Sequence, residues 1–184
     1  MDPTEWREIN ELVVQCTAAL FESCNVQLQY LGVASKQDPP FDTTLAVIGY
    51  AGEQMRGSVL LSAPDPLLKT THPSGASATD DDLLDWAGEL SNQLLGRIKN
   101  QLRGRGVIIQ MSTPMILTGL HLRISSLRSA ECIAHKFALG ESHKFALGDA
   151  RVQVRFEAIV EPGVRLPSVP PEVPPAREGD VLIF

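Results

Sequence analysis

Residues 82–103, DLLDWAGELSNQLLGRIKNQLR, carry the clearest helical period in the chain, and the remaining elements have to be arranged around them. Advancing about 100° per residue from Leu83 puts Leu83, Ala87, Leu90, Leu94 and Ile98 on one side, with Leu84, Leu95 and Leu102 at its margin. Asp85, Glu89, Asn92, Gly96 and Arg103 gather on the opposite side. This is the pattern of an amphipathic helix lying on a core. Its polar side holds a glycine mid-helix, which costs roughly 1 kcal/mol relative to alanine. By pattern alone this is an ordinary solvated face with one imperfect residue. A glycine beside a carboxylate and a carboxamide would also let another surface approach, which makes Glu89, Asn92 and Gly96 the candidate working face.

The start and stop of this helix are written locally. Thr79 can accept a backbone N–H, and Asp80, Asp81 and Asp82 sit where the helix dipole favours negative charge. Three adjacent acids at a helix start do not converge on one ion, so the dipole explains them better than a metal does. Gly104-Arg105-Gly106 is the expected glycine stop after a basic last turn.

Glu89-Leu90-Ser91-Asn92, followed by Gly96 and Lys99, resembles the single motif of the CheX branch of the CheC/CheX/FliY phosphatases, which dephosphorylate the chemotaxis response regulator CheY. The Ser112-Thr113-Pro114 turn downstream, the preceding Ala87-Gly88 and the order of elements agree with that pattern over most of residues 5–160. The resemblance implies an α+β fold: a largely antiparallel sheet carrying two long helices, in a CheC-like αββ-type arrangement of two halves. It implies Asn92 as the residue that positions water and Glu89 as the partner of the regulator's active-site Lys. Asp85, Gly96 and Lys99 are then the expected partner contacts. The partner is a phosphorylated CheY-like receiver domain, the Mg2+ is the regulator's own, and two copies can pair through strands as a homodimer. No metal or cofactor of the chain's own is expected.

The rest of the chain fits this plan. Asp2-Pro3-Thr4-Glu5 opens a first helix whose apolar face runs through Ile9, Leu12, Val13, Cys16, Ala19 and Leu20 to about Ser23. Arg7, not a glutamate, stands three residues before Asn10, so this helix lacks the second motif of the CheC branch and is assigned to packing. Strands are expected over residues 26–30, 43–50, 55–62, 107–111 and 120–124. The second and third of these form a hairpin about Gly52. The cleanest alternation is Val152, Val154, Phe156, Ala158 and Val160. Asp65-Pro66 can open a short helix through Lys69, and residues 72–78 read as a mobile loop.

His135–Gly140 recurs as His143–Gly148, too short a period for a repeat architecture and without a functional account. Cys132, His135 and His143 lack a good fourth metal ligand. A metal-dependent hydrolase built on His121, His135 and His143 ranks low for the same reason. Residues 1–161 are expected to form the domain. Residues 162–184 form a tail in which residues 162–175 hold six of the thirteen prolines, ahead of the apolar Val181-Leu182-Ile183-Phe184.

A net charge of -6 argues against a general binder of nucleic acid or acidic membrane. No apolar run approaches the roughly 20 residues needed to cross a bilayer. The polar first residues are no secretory signal, and Cys16, Cys24 and Cys132 are odd in number. A cytoplasmic protein with reduced thiols is therefore expected. The rival from another class is a non-catalytic module that docks a response regulator or motility component through the same helix face.

Overall fold

The computed structural model describes residues 3–34, 44–119, 122, 124–125, 130–140 and 151–161. Its elements are α1 (Pro3–Ser23), β1 (Leu28–Val33), β2 (Thr44–Ala51), β3 (Met55–Ala63), α2 (Asp65–Thr71), α3 (Asp80–Gly104), β4 (Gln110–Met111), β5 (Met115–Leu117), β6 (Glu131–Leu139) and β7 (Arg151–Val160). No helix among them is long and apolar enough to cross a membrane.

All strand pairs are antiparallel, in the order β1-β6-β7-β3-β2-β4, with β5 also on β2. Strands β4 and β5 follow one another along the same edge of β2. Tyr50 pairs with Met111 and Val47 with Met115, so they are one strand interrupted by Ser112–Pro114. The order then reads the same from both ends. The unit α1-β1-β2-β3 and the unit α3-β4/β5-β6-β7 exchange places about an axis between β3 and β7, each lending its first strand to the other's second. The expected two-half arrangement is thus present in the topology.

Helices α1 and α3 lie side by side on one face of the sheet and close the core over it. Buried there are Ile9, Leu12, Val13 and Leu20 of α1, Leu90, Leu94, Leu95 and Ile98 of α3, and Ile48, Val59, Val154 and Phe156 of the sheet. Tyr50 stacks on Phe156 at 5.6 Å and sends its hydroxyl to the Glu157 carbonyl at 2.8 Å. The Arg105 guanidinium meets Glu8 at 2.7 Å and ties the end of α3 to α1.

Strand β7 buries Val152, Val154, Phe156 and Ala158 as its alternation demands. Three expectations shift. Strand β1 begins at Leu28, because Val26 is already buried in the turn after α1. Only Gln110–Met111 of residues 107–111 joins the sheet. Gly106, at φ +78°, turns the chain so that the Val107 N–H bonds the Leu102 carbonyl, and this pins Val107 to the helix end. Residues 72–78 are a built corner: a 3-10 turn spans Gly75–Ser77, and His72 meets Trp86 edge-on at 5.5 Å. The strand expected over residues 120–124 falls mainly outside the described residues. So do the second copy of the repeat and the tail from residue 162.

Candidate functional site

Helix α3 is set by its first turn. Thr79 Oγ1 accepts from the Asp82 N–H at 3.2 Å, and the Thr79 N–H donates to the Asp82 carboxylate at 2.8 Å. This reciprocal cap satisfies two otherwise orphaned donors. The Thr79 hydroxyl, which donates to the same carboxylate at 2.7 Å, and then the Thr79 N–H hold the Asp82 carboxyl below its usual range, so Asp82 is engaged in capping. On its flank, Trp86 Nε1 donates to Thr71 Oγ1 at 2.9 Å and fastens α2 to α3.

The motif residues lie just beyond that anchor. Gly88 is buried: a Cβ there would stand 3.5 Å from both Pro114 Cγ and Ile116 Cδ1. The Ser112–Pro114 turn therefore rests against the residue preceding Glu89. The turn is held by the Ser112 N–H on the Gly49 carbonyl at 2.9 Å and the Gly49 N–H on Ser112 Oγ at 3.0 Å. The two sequence features linked by the resemblance thus meet in space.

Glu89 and Asp85 are exposed, and Asn92, Gly96 and Lys99 are half-buried. Leu90 and Ser91 between them are fully buried. The candidate face therefore stands on the outer ridge, turned away from the sheet. A Cβ on Gly96 would meet nothing within 4 Å. Glu89 and Asn92 project from adjacent turns of one ridge, three residues apart. The Glu89 carboxylate accepts from Gln93 Nε2 at 2.9 Å. The sequence pattern did not single out Gln93, although its spacing of four residues from Glu89 was the available signal.

The histidine-based alternatives do not assemble. His135 is 1% exposed, and its Nδ1 shares a hydrogen bond with the Tyr30 hydroxyl at 3.1 Å. Burial pushes its imidazole down to about 4, so the ring is neutral at neutral pH. Cys132 is exposed, and three residues along β6 it points to the opposite face from His135. His121 and His143 lie outside the described residues. No group of three candidate metal ligands occurs among the described residues.

An antiparallel sheet with two helices on one face, built as two αβββ halves, is the fold of the CheX- and CheC-like chemotaxis proteins. Chemotaxis protein CheX from Vibrio vulnificus has it at TM-score 0.68 and 18% identity, over 84% of this chain and 99% of that one. CheX from Desulfovibrio desulfuricans matches at 0.66 and 21%, over 84% and 99%. A chain of the CheX–CheY–BeF3–Mg2+ complex from Borrelia burgdorferi matches at 0.61 and 16%, over 82% and 97%. No curated protein sequence matches the chain. The model of the family described as "Chemotaxis phosphatase CheX" matches residues 44–138, just over half of the chain and the whole of α3 with its turn. The chain belongs to the CheX family.

Proposed function

We propose that the chain accelerates hydrolysis of the aspartyl-phosphate on a CheY-type receiver domain. The observation that carries this reading is the open ridge of α3, on which Glu89, Asn92 and an unobstructed Gly96 stand on successive turns. An aspartyl-phosphate is a mixed anhydride that water already hydrolyses, and the receiver supplies its own Mg2+ and Lys. A phosphatase has to add a water held in line with the bond that breaks. The Asn92 carboxamide can hold such a water, because its oxygen accepts from the water, its N–H donates, and neither changes protonation. Glu89 exchanges its Gln93 contact for the receiver's Lys. Truncating one side of such a desolvated pair typically costs about 2–5 kcal/mol. Gly96 leaves room for the receiver's loop, with Asp85 and Lys99 flanking it.

This assignment needs no metal bound to the chain itself. It places the protein in the compartment of its receiver, the cytoplasm. Pairing of two copies through an edge strand is consistent with β1, where Tyr30, Leu31 and Val33 are exposed. Residues 1–161 then form the catalytic domain and residues 162–184 an appended tail.

The test is phosphate release from a receiver phosphorylated by a small phosphodonor, with the chain as wild type and as Asn92→Ala. Acceleration by the wild type that Asn92→Ala abolishes while still binding the receiver is expected. Equal rates would remove Asn92 from the chemistry. Binding without acceleration by the wild type would leave the chain a docking module.

A further inference from the structure

The ridge of α3 sorts its charges by sign. Asp81, Asp85 and Glu89 follow one another at four-residue steps on its N-terminal half, and Lys99 and Arg103 do so on its C-terminal half. Asn92, Gln93 and Gly96 stand uncharged between them. At about 100° per residue, Asp85 and Arg103 come to lie on one line along the axis, about five turns apart. Asp81, Asp85, Glu89 and Arg103 are exposed, and Lys99 is half-buried.

The helix gains nothing from this order. Like charges four residues apart repel about as much as opposite ones attract, so alternating signs would hold the helix better. The helix dipole accounts for the acids of the first turn and for Arg103 in the last. Its effect fades within one turn of each end, so it does not account for Asp85, Glu89 or Lys99. Tertiary contacts do not account for the pattern either. Arg97 donates to Ser23 Oγ at 3.0 Å and Arg105 pairs with Glu8 at 2.7 Å, both toward α1. Asp81, Asp85, Lys99 and Arg103 have no ion-pair partner among the described residues. A local rule broken without compensation inside the fold is expected where a surface meets a partner.

We propose that Lys99 and Arg103 select among receivers, by requiring an acidic patch on the receiver face that docks on α3. With the receiver's Lys on Glu89, a rise of about 1.5 Å per residue puts that patch about 15 Å further along for Lys99 and about 21 Å for Arg103. The sorted charges also set direction: a receiver laid the other way round would bring its acidic patch against Asp85 and Asp81. Charges at the margin of an interface act on encounter and on rejection of wrong partners. The proposal rests on the docking of a receiver by this ridge, and it adds to Glu89 and Asn92 a separate determinant of which receiver is taken.

The experiment measures dissociation constants for a set of CheY-type receiver domains held as beryllofluoride–Mg2+ mimics of the phosphorylated form, so that hydrolysis does not enter. It compares low salt with about 1 M salt, where charges are screened beyond about 3 Å. Receivers with an acidic patch at the stated distance bind more tightly than receivers without one. At low salt Lys99→Glu and Arg103→Glu each weaken that binding by about three-fold. The double variant weakens it by about ten-fold or more, which is about 1.4 kcal/mol. These losses disappear at high salt. Arg56→Glu makes the same change in net charge on β3, off the ridge, and leaves the affinity as it was. Lys99→Glu sets a Glu four residues before Arg103, a favourable pair, so its weaker binding comes with an undiminished thermal midpoint. Arg103 is exposed, so its variant keeps the test alive should Lys99→Glu misfold. Ridge variants that bind as tightly as Arg56→Glu, beside a wild type that binds, overturn this proposal alone. So do losses that persist in full at high salt. A wild type that binds none of the receivers overturns the phosphatase reading and this proposal together.

Discussion

Gln93 Nε2 donates to Glu89 Oε1 across 2.9 Å, one helical turn along α3. The carboxylate proposed to pair with a receiver's Lys is therefore already held by its own helix, at a solvent-facing position where such a contact is weak. Side-chain pairs at this spacing stabilise a helix by about 0.2–0.5 kcal/mol. Gln93→Ala should hardly move the thermal midpoint. It should alter the concentration of chain at which dephosphorylation saturates while leaving the saturated rate near wild type. Single-turnover decay of the phosphorylated receiver across a range of chain concentrations separates these quantities. A fall in the saturated rate comparable to that of Asn92→Ala would place Gln93 in the chemistry.

Gly96 gives two variants with opposite readouts. Its Cβ position is open, so Gly96→Ala adds helix propensity without a clash and should stabilise the fold by about 1 kcal/mol. Gly96→Leu should fold as well as wild type yet block a close-fitting receiver. Thermal melts and receiver affinity, measured on both, check this. A destabilised Gly96→Leu would mean that the position is packed. A folded Gly96→Leu with wild-type affinity would move the docking surface elsewhere.

Ser91, inside the motif, is fully buried, and its Oγ has no hydrogen-bond partner. Ser91→Ala should therefore raise stability by about 1 kcal/mol, since burying an unsatisfied hydroxyl is unfavourable. For a chain of this size that is a rise of about 2–4 °C in Tm. Dephosphorylation should be unchanged, because the side chain points away from the ridge. A loss of activity would show that the hydroxyl shapes the helix under Asn92.

The period of α3 was legible because one apolar stripe, from Leu83 to Leu102, repeats along the whole helix, and β7 because its alternation is unbroken. Strand β6 was not legible. Its inward residues are Ile133, His135, Phe137 and Leu139, and a histidine in that row disguises the apolar face. The relation between α1 and α3 was hidden for a different reason. Comparing Asn10 with Asn92 by residue type sets the helices in the wrong register, whereas the buried rows match Asn92 to Val14. Only the sheet order, which exchanges the two helices, licenses that comparison. Gly88 gave no hint of its contacts either, because Pro114 and Ile116 reach it through a strand pairing distant in sequence.

His135 makes stability depend on pH with a definite sign. Its imidazole is pushed from 6.5 down to about 4 by burial, so the folded state binds fewer protons than the unfolded chain between those values. Stability is then fully present above the unfolded value and is lost as pH falls towards the folded one. The Tyr30 hydroxyl bonds the ring, and the Arg7–Glu11 pair is the charge that α1 brings to the groove between α1, β1 and β6, which Tyr30 and His135 also line. Between about pH 7.5 and about pH 5 the loss attributable to this one group should be about 2 kcal/mol. Urea titrations of wild type and His135→Phe at both pH values measure it. The variant should lose less stability than the wild type on acidification, with an unchanged denaturant slope. Equal losses in the two proteins would mean that His135 is protonated as readily in the folded chain as in the unfolded one, and a buried, neutral ring could not then occupy this position.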